Sequence, residues 1–294
     1  MKTAVIVMAY GSPSRPEDVG AYLRDIRGGR PVSPEAVAEL EERYRRIGGG
    51  SPLNEITERQ RAALEAELGL PVYVGMRHWT PRISEAAERA LADGAERIIG
   101  LVLAPHYSRM SVGGYHRQLE EALADRAELV FIASYHAYEP FIELLAARLG
   151  DTDAHVVFTA HSLPERILAE GDPYQDQLLE TSRLVADRAG LESWSFAFQS
   201  ESPTGEPWLG PDILEELERL HGEGVRKVLV EPIGFVADHL EIYWDIDIEA
   251  REKADELGLE LDRTESLNDD PAFIHVLAGV VQQQSAYQPY VPAP

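Results

Sequence analysis

Cysteine is absent from the 294 residues. Disulfides, Cys-ligated zinc and Cys-ligated iron–sulfur clusters are thereby excluded, and a cytoplasmic protein is expected. Positive charge is scarce: 27 Lys and Arg stand against 51 Asp and Glu, a formal net charge of −24. Nucleic acid and anionic membrane both need a basic face, so neither is an expected partner, although a locally basic pocket is still compatible. Long apolar runs are missing too. The longest, such as 98–104, fall far short of the ~20 residues of a membrane helix, so no stable membrane insertion is expected. A strand is expected from Thr3 onward, which leaves no room for a signal peptide. Phosphate loops are the last absence. The turn Tyr10-Gly11-Ser12-Pro13-Ser14 carries neither G-x-G-x-x-G nor G-x-x-x-x-G-K-S/T, and Gly48-Gly49-Gly50 reads as a helix cap and turn with no lysine behind it.

What is present is alternation. Apolar strands are expected at 3–9, 72–76, 97–103 and 129–133, separated by helical patterns at 16–26, 34–47, 51–68, 83–93 and 115–124. The second half repeats this with strands at 155–159, 195–199, 226–231 and 259–261, and helices at 174–189, 212–222, 238–257 and 271–281. A Gln/Pro-rich tail to Pro294 is expected to fray. Such an order predicts α/β architecture with parallel sheets covered by helices on both faces.

The repetition extends to residues. Val5-Ile6-Val7-Met8-Ala9-Tyr10-Gly11-Ser12-Pro13 aligns with Val156-Val157-Phe158-Thr159-Ala160-His161-Ser162-Leu163-Pro164, and 94–99 with 224–229. Two similar doubly wound, Rossmann-like lobes are therefore expected, 1–135 and 136–270, with a cleft between them and the closing helix 271–285 returning to the first lobe. Tyr10 and His161 would then stand on equivalent strand tips, where open α/β sheets bind ligands. The simpler reading of His161 is a strand cap bonded to a nearby carbonyl.

A second unusual stretch is Gly234-Phe235-Val236-Ala237-Asp238-His239-Leu240-Glu241, continued by Asp245 and Glu249. Spacing of i, i+4 and i+8 places Glu241, Asp245 and Glu249 in one stripe, where like charges repel by ~0.2–0.5 kcal/mol per pair in water. A solvated face would explain Asp245 and Glu249. Glu241, beside Asp238 and His239 at a strand tip, is different: a carboxylate opposite a histidine can hold a divalent cation or relay protons.

Ala160-His161-Ser162-Leu163-Pro164 and 234–241, together with Met8-Ala9-Tyr10-Gly11-Ser12-Pro13, Ile47-Gly48-Gly49-Gly50-Ser51-Pro52-Leu53 and Ala104-Pro105-His106-Tyr107-Ser108, resemble the ferrochelatases, which insert ferrous iron into a porphyrin. The motifs occur in family order across residues 8–241. The resemblance implies a two-lobe chelatase fold with the porphyrin in the cleft. It also implies His161 and Glu241 as the catalytic, metal-insertion pair. Asp245 and Glu249 would lie on an acidic metal or proton path. His78, before Trp79 at a strand tip, reads either as an outer metal or proton site or as a structural residue.

Tyr10 is similar to the tyrosine of coproporphyrin III ferrochelatases from Gram-positive bacteria, which approaches iron from the face opposite the histidine. Coproporphyrin III carries propionates that need cationic and hydroxyl donors. Arg27, Arg43, Ser51 and Tyr115 match the propionate-contacting positions best, whereas Arg45 and Arg46 suit helix-surface pairing with neighbouring glutamates. Gly28 replaces a second arginine found in some relatives. The expected partners are thus coproporphyrin III and Fe²⁺, both as substrates, for a monomer with no tightly bound cofactor. Protoporphyrin IX or sirohydrochlorin as the macrocycle, or a non-catalytic tetrapyrrole or iron carrier, are the alternatives. His106 and His239 are expected to organise the pocket wall.

Overall fold

Val5, Val7 and Ala9 face one way along Thr3–Ala9, and Ala4, Ile6 and Met8 face the other, all of them buried. A strand apolar on both faces belongs inside a sheet covered on both sides. The computed structural model, which describes residues 1–202 and 205–283, places it so.

The first lobe runs β1 (Thr3–Ala9), a 3₁₀ turn (Pro16–Asp18), α1 (Val19–Ile26), α2 (Pro34–Arg46), α3 (Leu53–Leu68), β2 (Val72–Met76), α4 (Ile83–Ala92), β3 (Arg97–Val102), α5 (Val112–Leu123) and β4 (Glu128–Ile132). After α6 (Glu139–Leu149) come β5 (His155–His161), α7 (Arg166–Ala169), α8 (Tyr174–Ala189), β6 (Trp194–Gln199), α9 (Ile213–Gly222) and β7 (Lys227–Glu231). A π-helix (Ile242–Ala250), α10 (Arg251–Leu257), β8 (Glu260–Arg263) and α11 (Pro271–Gln283) complete the described chain. The frayed tail expected beyond residue 283 lies outside the described residues.

Both sheets are four-stranded and parallel, with orders β2-β1-β3-β4 and β6-β5-β7-β8. The two orders are identical under β1→β5 and β3→β7, the correspondence that the aligned stretches predict. Each order reverses direction between its two central strands, so β1/β3 and β5/β7 form the switch points where such sheets open a crevice.

Helices fill three layers. Odd-numbered residues of β1 and even-numbered residues of β5 share one core with α3, α6, α8 and α11, wedged between the sheets. The outer face of the first sheet is covered by α4 and α5, and that of the second by α9, the π-helix and α10. The last helix, α11, packs on α3 and α6.

Expected strand ends fall within about two residues of the observed ones. Two differences matter. The helix α6 has no counterpart in the expected order, although Phe141, Ile142, Leu145, Ala146 and Leu149 line one buried face behind Pro140 in its first turn. The stretch expected as one α-helix over 238–257 instead begins as a π-helix, Ile242–Ala250, and becomes α-helical only at Arg251.

At the end of β7, Glu231 is 4 % exposed and its Oε2 has no hydrogen-bond partner among the described residues. Burial pushes its carboxyl up from 4.5 to about 7. The folded chain therefore binds this proton more tightly than the unfolded chain. The associated stability is complete below the unfolded value and lost as pH rises through about 7. Glu231→Gln is expected to match the parent at pH 5 and to exceed it by ~1–3 kcal/mol at pH 8 in denaturant unfolding. Equal gains at both pH values would contradict the burial argument.

Candidate active site

The tip of β5 is built by its own ladder. Val156, Val157 and Phe158 are fully buried, His161 is the last residue in register, opposite Gln199, and the Ser162 amide donates to the Gln199 carbonyl at 2.7 Å. The Ser162 hydroxyl donates to the Leu209 carbonyl at 2.7 Å, and the buried Tyr174 hydroxyl donates to the His161 carbonyl at 2.9 Å. The strand therefore ends in a fixed position, and the His161 side chain emerges from it.

His161 does make the carbonyl bond of a strand cap: Nδ1 donates to the Ser162 oxygen at 2.5 Å. A carbonyl can only accept, so the proton is on Nδ1 and Nε2 is directed elsewhere. That nitrogen meets Glu241 Oε1 at 3.6 Å. The cap bond thus orients the ring for the pair and does not replace it.

Glu241 reaches this point because the loop after β7 folds tightly over β5. The Gly234 amide donates to the Thr159 carbonyl at 3.1 Å. A Cβ at Gly234 would stand 2.5 Å from Ala160 Cβ, so only glycine allows the approach. Asp238 anchors the far side of the loop, accepting from Ser266 Oγ at 2.7 Å, Asn268 Nδ2 at 2.9 Å and Arg263 at 3.3 Å. Next to it, His239 donates from Nδ1 to the Ala237 carbonyl at 2.9 Å and turns Nε2 to Glu241 Oε2 at 3.4 Å. One carboxylate is therefore held between two imidazoles. The direct role of His239 on Glu241 was not anticipated from its position two residues away.

Electrostatics follow from this arrangement. Burial opposes charge on His161, but Glu241 outweighs it and raises the imidazole to about 9. Burial likewise opposes charge on Glu241, and His161 and then His239 hold the carboxyl well below its usual range. Asp245 is buried, accepts from the Ser200 hydroxyl, and is pushed up to about 7 by burial and then by Glu241. Glu249, half-buried one step farther along the π-helix, adds to that repulsion. Among the described residues no three His, Asp or Glu side chains are grouped to hold a metal ion.

Tyr10 stands at the β1 tip, 40 % exposed, and walls of protein around it raise its hydroxyl to about 12, with the charge of Glu241 as the next cause. The two lobes therefore bring Tyr10 and Glu241 within electrostatic reach of each other. The His78 ring packs against Tyr10 with centroids 4.6 Å apart. Burial lowers the His78 imidazole against the pull of Asp25, whose carboxylate accepts its Nδ1–H at 2.9 Å.

The other candidates surround this centre at different depths. Tyr115 is only 4 % exposed and lies under the Arg77 guanidinium, 5.2 Å from its ring centre. Arg27 is exposed at the C-terminal cap of α1. Arg43 pairs with Glu39 at 2.9 Å and also lies over the Trp244 ring at 5.0 Å, so it bridges α2 to the π-helix. Ser51 Oγ accepts from the Leu53 amide at 3.4 Å where α3 begins. Arg45 and Arg46 pair with Glu42 and Glu252, and Arg46 shares Trp244 with Arg43.

Comparison with known proteins agrees with this architecture. The sequence model of the family described as Ferrochelatase matches residues 2–285. The chain belongs to the ferrochelatase family. Relatives named ferrochelatase from Herpetosiphon aurantiacus and Deinococcus radiodurans are each 45 % identical, covering 96 % of this chain and 99 % and 96 % of theirs. A relative named coproporphyrin III ferrochelatase from Oceanobacillus iheyensis is 39 % identical over 97 % of each chain. Among solved structures, SirB from Bacillus subtilis with Fe³⁺ superposes with a TM-score of 0.65 at 12 % identity, covering 97 % of this chain and 96 % of its own. That likeness shows a shared two-lobe chelatase fold. Membership places the chain in heme biosynthesis. Among the described residues no helix is long and apolar enough to cross a membrane.

If Glu241 sets the charge of its partner, Glu241→Gln must release it. The His161 titration midpoint, followed by ¹⁵N NMR, is expected to fall from about 9 by at least about one unit toward the ordinary imidazole value. An unchanged midpoint would assign the shift to the Ser162 contact.

Proposed function

We propose that this ferrochelatase inserts Fe²⁺ into coproporphyrin III, with His161 and Glu241 at the insertion site and Tyr10 on the opposite porphyrin face. The observation that carries the reading is the His161–Glu241 contact at 3.6 Å, set at the tip of one lobe within the electrostatic reach of Tyr10 on the other. Coproporphyrin III as the macrocycle is supported by the tyrosine at position 10 and by resemblance to relatives bearing that name.

Metallation exchanges two pyrrole protons for one Fe²⁺. The ion must therefore be held loosely on arrival, and the protons need an exit. Imidazole suits Fe²⁺ and can also accept a proton. His161, fixed through Nδ1, turns Nε2 to Glu241, which holds the ring as an imidazolium near neutral pH. Nε2 becomes a donor to Fe²⁺ or an acceptor for a pyrrole proton once its own proton has passed outward by way of Glu241. Asp245 and Glu249 continue along the π-helix as the outward path. His78, beneath Tyr10, belongs to the opposite wall. Arg27, Arg43, Ser51 and Tyr115 take the propionates, and for Arg43 this means leaving Glu39 or Trp244. Both walls of the cleft come from one chain, so a single copy in the cytoplasm suffices.

Fe²⁺ offered anaerobically with coproporphyrin III and protoporphyrin IX in parallel tests the substrate: metallation of the first should be faster. Preference for protoporphyrin IX would overturn the assignment. His161→Ala and Glu241→Ala should each lower metallation by about a hundredfold or more while circular dichroism stays unchanged. Porphyrin binding with near-normal turnover in both variants would sink the mechanism, and binding with no parent turnover would favour a carrier.

A further inference from the structure

Asp25 and Arg82 lie outside all five motifs, yet they meet behind the site. Asp25 stands in the last turn of α1, and Arg82 caps the start of α4. The Arg82 guanidinium donates to both carboxylate oxygens, from Nη2 to Oδ1 at 2.8 Å and from Nη1 to Oδ2 at 3.0 Å. Nη1 also approaches the Arg77 carbonyl at 3.4 Å. Asp25 Oδ2 then accepts His78 Nδ1–H at 2.9 Å, and the His78 ring is the one packed on Tyr10 at 4.6 Å, tilted by 51°. Backbone bonds hold the same neighbours together: the Arg77 amide donates to Ala9 and the His78 amide to Tyr10, both at 2.9 Å.

Stability does not account for this chain. The side chains of Asp25 and Arg82 are 30 % and 41 % exposed, and an ion pair at such exposure contributes only about 0–1 kcal/mol. A two-pronged guanidinium–carboxylate contact does supply direction. The Asp25 carboxylate, fixed by that fork, can accept from His78 in only one orientation of the ring. The proton is thereby placed on Nδ1, and Nε2 is left as the acceptor. The ring held in this way forms one wall of the space in which the Tyr10 side chain turns.

We propose that Asp25, clamped by Arg82, is a positioning residue for metallation: by fixing the His78 ring it fixes where the Tyr10 hydroxyl points on the porphyrin face opposite His161. The inference rests on the reading of Tyr10 given above and adds the device that aims it. Its reach is limited to one face, since the His161–Glu241 pair has its own anchors in Ser162 and His239.

The test measures kcat and KM for coproporphyrin III, and the Soret band of the ferric product complex, in Tyr10→Phe, Asp25→Ala, Asp25→Asn and Arg82→Ala. Tyr10→Phe should lower kcat and move the band. Asp25→Ala should move the band in the same direction and lower kcat about tenfold, with KM within about twofold of the parent. Arg82→Ala should do the same to a smaller degree. Asp25→Asn, whose amide oxygen can still accept from His78, should restore most of the parent spectrum. A parent-like band and kcat in Asp25→Ala, with Tyr10→Phe altered in both, overturns the inference and leaves the reading of Tyr10 standing. A rise in KM without movement of the band also overturns it, because the pair would then only shape the cleft. Parent-like behaviour in Tyr10→Phe overturns the reading of Tyr10, and the inference with it.

Discussion

His161 and Glu241 are held 3.6 Å apart by two strands that are neighbours in one sheet, β5 and β7. The histidine ends its strand, and the glutamate follows a loop that returns over that strand. The return is possible only because Gly234 lies against Ala160 without a side chain between them. Parallel pairing puts both strand ends at one edge, and the order β6-β5-β7-β8 makes that edge the switch point of the lobe. Every other feature of the site is an addition to this contact: His239 on the second carboxylate oxygen, Asp245 on the next turn, and Tyr10 from the facing lobe.

Charge explains why the site needs so many partners. A chain of net charge −24 repels further anions from its surface, and a carboxylate at a cleft floor loses hydration as well. Glu241 stays ionised because two imidazoles face it, one per oxygen. Asp245 is raised by its burial and then by the charge of Glu241, which outweigh the pull of the more distant His161, so its carboxyl retains a proton up to about neutrality. Two carboxyl groups four residues apart are thus driven in opposite directions by their surroundings, a difference that suits one to balance a cation and the other to exchange protons.

The strands and the two-lobe repeat were legible in the sequence because burial on both faces leaves continuous apolar runs that stop at polar tips. The pairing of His161 with Glu241, by contrast, was implied by the resemblance to the ferrochelatases and not by patterning. The π-helix was not legible. Ile242, Ile246 and Ala250 recur every four residues, a spacing that an α-helix and a π-helix both place on one buried face, so apolar periodicity cannot separate i→i+4 from i→i+5 bonding. The stripe of Glu241, Asp245 and Glu249 survives the difference for the same reason. The missed helix α6 is another kind of case: its apolar face and Pro140 are ordinary helix signals, hidden between two strands that look consecutive in the repeat. Asp25 and Arg82 carried no signal at all, since 57 residues separate them and each reads alone as a surface charge.

The internal repeat gives equivalent strand tips, yet it does not give equivalent chemistry. On the second lobe the tip residue is an imidazole tied to a carboxylate that two histidines share. On the first lobe the tip residue is a phenol, and the imidazole stands behind it, tied to a carboxylate that an arginine grips with both prongs. In both lobes a carboxylate faces a histidine; what differs is whether the histidine or its neighbour stands at the strand tip. Under the proposed reading, a planar ligand between such walls would meet an imidazole on one face and a hydroxyl on the other. A dication reaching the ring centre would therefore have a nitrogen donor on one side and an oxygen donor on the other. In that reading, Glu241 and Asp245 would give departing protons an acidic route on the His161 side. Under the proposed reading, the asymmetry between the lobes would give the exchange of metal for protons a direction.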